Sequence, residues 1–268
     1  MPTLNTAFKQ VFGEALAPHG FVKIKGRQPY FVRLIGNEIL HIITYMPRPN
    51  KSFRIIGGVA TVYRQRLSLD ECPRNNGNWL HGNLHFYREL HPLDEIPGDL
   101  FSKLYEFYYS EETIHSSIET ALEITKEIML PILDEVVDLE ACIEYFHKFG
   151  DDMNLNYDVE DFGNKQVNNF YNEGLLHIKT VSLSNYRNFR EKKIEKDLIK
   201  FAYGVKTNTY TQEFYEAWLK KFEDEKPMRI ALYDKISNDH EWIAKAHTEL
   251  EGRKAANIEI LKSYGLNV

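Results

Sequence analysis

Four segments rich in β-branched and aromatic residues follow one another closely near the start of the chain. They read FVKIK at 21–25, YFVRLI at 30–35, EILHIITYM at 38–46 and FRIIGGVATVYRQR at 53–66. The loops between them are GRQP, GN and PRPNKS. They are too short to connect two parallel strands, because such a connection needs about a dozen residues or more. The sequence therefore predicts an antiparallel meander of neighbouring strands.

The fourth segment contains two adjacent glycines, Gly57 and Gly58. Glycine weakens a strand interior because it has no side chain to pack, and it often marks a bulge or a place where another element comes close. We therefore expect either a bulge or a close contact at this point of the sheet.

Helical patterns lie on both sides of the predicted sheet. Residues 4–16 carry apolar side chains at helical spacing, and Thr3 is placed to cap their start. Pro18 and Gly20 are placed to end this helix. Further helices are predicted at 99–109, 111–130, 139–149, 171–183, 187–203, 211–224 and 239–264. The expected fold is α+β, with an N-terminal helix and an antiparallel sheet of about five strands, followed by a mainly helical C-terminal half.

Caps and breakers mark the ends of two of these helices. Ser110 is placed to cap the helix at 111–130, and Pro131 is expected to end or kink it. Asn238 and Glu241 have the spacing of a capping box at the start of the last helix.

A polar, acidic and asparagine-rich stretch at 150–169 is the best candidate for a linker. It would follow an α+β domain at 1–149 and precede a helical region at 165–268. The alternative is that the helical region packs with the first domain as one unit.

Several features indicate a cytoplasmic protein that neither enters a membrane nor binds a cofactor. No run approaches the ~18 apolar residues of a bilayer span, and MPTLNTAFKQ lacks the pattern of a secretory signal. The two cysteines, Cys72 and Cys142, are expected to be free thiols of a reducing compartment. The chain has no glycine-rich phosphate loop of the GxxxxGK or GxGxxG type.

Charge is distributed unevenly along the chain. Residues 1–68 hold ten Lys and Arg against two acids, whereas residues 69–147 hold four against seventeen. The basic segment at 1–68 and the acidic segment at 69–147 are expected to face each other in the fold. The alternative is that the basic segment binds an anionic partner. We expect no nucleic-acid binding, because the basic residues fall on both faces of their strands instead of forming one exposed stripe.

The stretch WLHGNLHFYRELH at 79–91 holds three of the ten histidines. On a helix, His81 and His85 would share a face as in zinc motifs, but Gly82 stands where such a motif has its glutamate. On a strand, apolar and polar residues alternate almost completely, and the two histidines would stand about 13 Å apart. The strand is favoured, so no metal site is expected.

The polar side of that strand is either plain solvent surface or the lining of a ligand groove. If it lines a groove, His85, Glu89 and His91 are the candidate catalytic residues.

Arg33, His41 and Arg64 are the candidate ligand-binding residues of the predicted sheet. Arg33 alternates with apolar neighbours, which places it on a buried side where it needs an anionic partner or good hydrogen bonds. The favoured interpretation is an internal salt bridge to an acid within 69–147, and the alternative is a site for a carboxylate or phosphate ligand.

The run LAPHGFVKIKGRQPYFVRLIGNEILHII, at 16–43, resembles a bacterial domain of unknown function catalogued as four-three-zero-four. The matching residues are Gly20, Phe21, Lys23, Lys25, Gly26, Phe31 and Arg33. The resemblance covers about the first 65 residues and implies a small α+β fold in a bacterial cytoplasmic protein. It implies no activity, catalytic residue or cofactor.

Two functions remain open on these grounds. The first is a non-enzymatic binding protein for a protein partner or a small anionic ligand. The second is a hydrolase-type enzyme that uses the polar strand face near residues 81–91. The oligomeric state does not follow from the sequence.

Overall fold

The computed structural model describes residues 3–24, 29–63, 84–86, 106–142, 145, 183–238 and 240–267. The chain divides into two compact units, Met1–Glu160 together with Glu251–Val268, and Asp161–Leu250. The first boundary falls inside the predicted linker at 150–169, and the C-terminal residues belong with the first unit.

The N-terminal helix α1 (Leu4–Leu16) has the bounds that its apolar spacing predicts. The hydroxyl of Thr3 accepts a hydrogen bond from the Thr6 amide at 3.2 Å and so caps the first turn. A 3-10 turn, Ala17–His19, follows, and Gly20 closes it with a φ of 80°, a conformation that glycine adopts without cost.

Within the described part of the chain, six strands form one antiparallel sheet. They are β1 (Val22–Lys23), β2 (Phe31–Ile35), β3 (Ile39–Arg48), β4 (Ser52–Thr61), β5 (Leu84–Phe86) and β6 (Phe107–Tyr108). The order is β1-β2-β3-β4-β5, and β6 pairs with β4 beyond the end of β5. The predicted meander and the α+β class, with a sheet of about five strands, are confirmed.

Two tight hairpins set the register of the central strands. Gly36 and Asn37 both have a φ of 58° between β2 and β3, and Asn50 and Lys51 have φ values of 62° and 52° between β3 and β4. Two successive residues with positive φ produce the backbone twist that matches paired strands. As a result β3 and β4 stay in register over all ten paired positions.

Aromatic residues of α1 and the sheet form the main core of the first unit. Phe8 and Phe12 stack with ring centroids 4.0 Å apart, and Phe8 lies 4.7 Å from Tyr45. Phe31 lies within 6.4 Å of both phenylalanines. All four rings are buried, which explains why α1 docks on this face of the sheet.

A second helical element packs on the sheet at Gly57. It consists of α2 (Ile114–Ile124), a π-helical segment (Thr125–Met129) and α3 (Leu130–Asp134). A Cβ atom built on Gly57 would lie 2.0 Å from the sulfur of Met129. The close contact predicted for the paired glycines is therefore confirmed at Gly57, and β4 has no bulge there.

Pro131 does not end this helical element. Proline lacks an amide hydrogen, and its ring crowds the carbonyl four residues earlier. The wider π-helical turn at Thr125–Met129 comes immediately before it and relieves that crowding. The predicted cap was also misplaced: Ser110 accepts hydrogen bonds from the amides of Glu112 and Thr113 in the preceding turn, and α2 starts only at Ile114.

The helix predicted at 99–109 is wrong where the structure describes it. Phe107 and Tyr108 form β6, opposite Phe53 and Ser52 of β4. The Phe107 ring stacks on Phe53 at 5.3 Å, and this contact with a distant strand outweighs the local helical pattern. Residues 99–105 lie outside the described part of the chain.

From residue 183 onward, the described chain forms three long helices, α4 (Leu183–Lys206), α5 (Gln212–Asn238) and α6 (His240–Ser263). The helix predicted at 211–224 was too short, because α5 continues through Pro227. Buried Arg229 donates to the carbonyl of Phe222 at 2.7 Å, so a side chain helps to satisfy the backbone near the proline. Asn238 belongs to α5 instead of starting α6.

None of the described helices is both long and apolar enough to cross a membrane. Helical backbone is also present at 139–142 and at 145, within the helix predicted at 139–149. The helix predicted at 171–183 lies outside the described residues except for Leu183.

The end of α6 belongs to the first unit through contacts with the sheet. The Asn257 amide donates to the Val62 carbonyl at 2.8 Å, and Asn257 is buried. Lys254 pairs with Glu38 at 3.2 Å, and Glu38 also accepts the hydroxyl of Tyr63. These contacts hold the C-terminal residues against the β2–β3 turn and against the residues that follow β4.

Candidate functional site

Arg33 lies at the centre of an internal hydrogen-bond network. Its Nε donates to Nδ1 of His41 at 2.9 Å, and its Nη1 donates to the His19 carbonyl at 3.1 Å. Its Nη2 forms an ion pair with Asp134. The guanidinium also lies 4.7 Å from the centre of the Phe21 ring, a distance typical of a cation–π contact. The network joins β2, β3, the turn after α1 and the end of α3.

The salt bridge predicted for Arg33 is therefore confirmed. Its side chain is 11% exposed, and its acidic partner comes from within 69–147, as expected. Asp134 itself is half exposed, so solvent reaches the acidic side of the pair.

His41 is the register partner of Arg33 and is completely buried. Its Nδ1 accepts from Arg33, and its Nε2 lies 2.9 Å from the Val136 carbonyl, to which it donates. This pattern requires a neutral ring with its proton on Nε2. Burial lowers the pKa of His41 to about 4, and the neighbouring charge of Arg33 acts in the same direction.

The lowered pKa of His41 predicts a loss of stability in mild acid. The unfolded chain takes up a proton near pH 6.5, whereas the folded ring does so only near pH 4. Stability should be complete above pH 6.5 and should fall by about 3 kcal/mol between pH 6.5 and pH 4. Chemical unfolding at a series of pH values measures this slope.

The variant His41→Gln is the control, because an amide can accept from Arg33 and donate to Val136 without titrating. Its unfolding free energy should change less with pH across this window than that of the parent. Equal slopes for the two proteins would show that His41 does not titrate as described.

Arg33 and His41 are thus brought together, but their described contacts are all internal. A ligand would have to displace Asp134, Val136 or His19 to reach them. Their role as ligand-binding residues stays a prediction, and Arg64 lies outside the described residues.

The strand predicted within 79–91 is confirmed for the part that the structure describes, Leu84–Phe86. His85 is the register partner of Gly57, where Met129 approaches the sheet. His81, Glu89 and His91 lie outside the described residues. Among the residues described, no three His, Cys, Asp or Glu side chains are grouped as metal ligands.

An exposed basic and aromatic surface lies at the end of the β3–β4 hairpin. Arg48 pairs with Ser52, and Ser52 pairs with Tyr108, so these positions form one row across three strands. The Tyr109 amide donates to the Lys51 carbonyl at 2.9 Å and holds the hairpin turn beside β6. We call the exposed residues Arg48, Lys51 and Tyr108 the hairpin-end patch.

A part-buried ion pair between Arg54 and Glu106 lies beside this patch. Glu106 accepts from the hydroxyl of Ser52 at 2.7 Å and from Arg54 at 3.1 Å. The hydrogen bond from Ser52 lowers the pKa of Glu106, and Arg54 and Arg48 add to the effect against burial. Glu106 therefore stays charged and fixes the start of β6, while Arg48 and Lys51 keep the exposed side basic.

The sequence does not single out this patch. Arg48 and Lys51 belong to the basic segment at 1–68, but the pattern around Tyr108 predicts a helix at 99–109 and so does not place it beside them. The available signal was the alternation of buried Phe107 with Tyr108, which is 62% exposed.

Comparison of the chain with protein-family models, with curated proteins and with solved structures gives no match. The resemblance of residues 16–43 to the domain catalogued as four-three-zero-four therefore stays a prediction.

Proposed function

We propose that this chain is a non-enzymatic, cytoplasmic binding protein that recognises an acidic surface of a partner protein through the hairpin-end patch. One observation carries the proposal: Tyr108, 62% exposed, lies in the same row as Arg48, and the amide of the next residue, Tyr109, bonds to the Lys51 carbonyl. Arginine and tyrosine are enriched in protein interfaces, where an aromatic ring supplies contact area and a guanidinium binds carboxylates.

The exposure of the patch favours a protein partner over a small anionic ligand. Sites for small molecules are concave and enclose most of the ligand, whereas Arg48, Lys51 and Tyr108 all lie exposed at the end of a hairpin. Arg33, another candidate for binding a small anion, already has three of its five N–H groups bonded to His41, His19 and Asp134.

The alternative, a hydrolase, would depend on His85, Glu89 and His91. Of these three residues the structure describes only the backbone of His85, which pairs with Gly57. We favour the binding function because the hairpin-end patch is a surface that the structure does describe.

Fluorescence anisotropy with a labelled peptide of ten glutamates as probe tests the proposal at ~0.15 M salt. We expect measurable binding that Arg48→Glu or Lys51→Glu weakens at least ~5-fold, as loss of a charge contact and added repulsion would do. Tyr108→Ala should also weaken it.

Lys23→Glu is the matched control, because Lys23 is an exposed basic residue at the opposite edge of the same sheet. Equal losses for Lys23→Glu and Arg48→Glu would indicate general attraction to the basic unit and contradict a specific patch. Inorganic phosphate and mixed-sequence DNA serve as competitors. Competition by phosphate would point to a small anion, and stronger binding of DNA would overturn both the proposal and the expected absence of nucleic-acid binding.

A further inference from the structure

Helix α4 carries a narrow exposed stripe that contains both charged and apolar residues. Glu195, Ile199, Tyr203 and Lys206 follow one another at spacings of four, four and three residues, which places them on one face of a helix. All four are exposed, and the exposed fractions of Ile199 and Tyr203 are 65% and 66%. Two large apolar residues one turn apart and open to solvent form a small apolar patch that a protein contact would bury.

The opposite face of α4 already accounts for the packing of the helix within its own unit. Ile194 is buried, and the Phe201 ring contacts Trp218 at 5.2 Å and Phe214 at 5.6 Å. Ile199 and Tyr203 are therefore additional to the apolar residues that hold α4 on α5.

We propose that this stripe binds the same stripe of a second copy of the chain, with the two α4 helices antiparallel. A two-fold axis near the level of residues 200 and 201 places Glu195 opposite Lys206 of the other copy. It also places Ile199 opposite Tyr203 of the other copy. Each contact occurs twice because the interface is isologous.

The charges on the stripe favour a second copy over other occupants. In a parallel pairing Glu195 would meet Glu195 and Lys206 would meet Lys206, whereas the antiparallel pairing joins opposite charges at both ends. The two charged residues are about 16 Å apart along the helix, at 1.5 Å per residue, so they do not neutralise each other within one chain.

Two features limit the strength of the dimer. The stripe is small beside the roughly 800 Å² per partner of a standard interface. Over Leu183–Lys206 the sequence also has seven Lys and Arg against three acids, so the two helices repel at long range. We expect a dissociation constant on the order of 10–100 μM at ~0.15 M salt, where that repulsion is partly screened.

Sedimentation equilibrium of the full chain across this concentration range tests the proposal directly. The parent should show reversible dimer formation, and Ile199→Asp should be monomeric throughout. Ile199→Asp changes an exposed side chain, and an unchanged circular dichroism spectrum will verify its fold. A parent that stays monomeric at 300 μM, roughly tenfold above the middle of the expected range, would overturn the proposal.

Exchanging the charges of Glu195 and Lys206 tests whether the two α4 helices pair antiparallel. Glu195→Lys or Lys206→Glu alone should weaken the dimer at least ~10-fold, because each replaces two attractive contacts with two repulsive ones. The double variant restores opposite charges across the interface and should dimerise within ~3-fold of the parent. A double variant no stronger than the single variants would refute the antiparallel pairing. The hairpin-end patch is on the other unit, so Arg48→Glu is expected to leave dimerisation unchanged, and the two proposals can fail separately.

Discussion

Replacing Arg33 with alanine is expected to lower the free energy of unfolding by about 3 kcal/mol, the cost typical of breaking a largely buried charged network. The change removes the donors to His41, to the His19 carbonyl and to Asp134 at once. It leaves Nδ1 of the completely buried His41 ring without its described partner, and an unsatisfied buried acceptor costs about 1–3 kcal/mol by itself. Chemical unfolding and hydrogen exchange of the β2 and β3 amides measure the loss.

Asp134→Asn separates the ion pair from the rest of this network. Because Asp134 is half exposed, we expect the substitution to cost less than about 1 kcal/mol. Lys23→Ala, on an exposed strand residue, should be close to neutral. If Arg33→Ala unfolds like the parent protein, the network does not support the fold, and Arg33 becomes a candidate for ligand binding again.

The same substitution, glycine to alanine, is expected to have opposite effects at Gly57 and at Gly252. At Gly57 the new Cβ would overlap the sulfur, Cε and Cγ atoms of Met129, which is completely buried. Because Met129 is buried, its side chain can shift away from the new methyl group only by disturbing other packed atoms, and we expect a loss of about 1–3 kcal/mol from overpacking. At Gly252, within α6, no atom lies within 4 Å of the new Cβ. There, alanine should stabilise the protein by about 0.5–1 kcal/mol through its higher helix propensity.

A double-mutant cycle shows whether Met129 causes the loss at Gly57. Met129→Ala alone should cost about 2–5 kcal/mol, as truncation of a buried methionine does. Combined with Gly57→Ala, the total should be smaller than the sum by about 1 kcal/mol or more, because the space that methionine leaves accepts the new methyl group. Additive losses would mean that Gly57 is required for another reason.

Local patterns predicted the elements that local forces dominate. The apolar spacing of residues 4–16 predicted α1 with its Thr3 cap. Strand propensity, together with the short loops between the strands, predicted β2, β3 and β4 as antiparallel neighbours. These predictions succeeded because spacing, capping and hairpin length act within a few residues of each other.

The patterns failed where a distant contact outweighed them. Phe107 and Tyr108 belong to an aromatic stretch that fits a helix, yet the stacking of Phe107 on Phe53 makes them a strand. Pro227 is a helix breaker by local rules, yet α5 continues through it with Arg229 bonded to the Phe222 carbonyl.

By itself, the sequence determined the α+β class, the antiparallel pairing, a bulge or a close contact at Gly57 and Gly58, and the need of Arg33 for an anionic partner or good hydrogen bonds. All of these follow from the chemistry of single residues and from spacing along the chain. Only the tertiary structure decided that the partner is Asp134, that His41 is held neutral between Arg33 and Val136, and that Tyr108 lies in one row with Arg48. Those contacts join residues far apart in the chain, where many alternative pairings satisfy the same local chemistry and packing selects one of them.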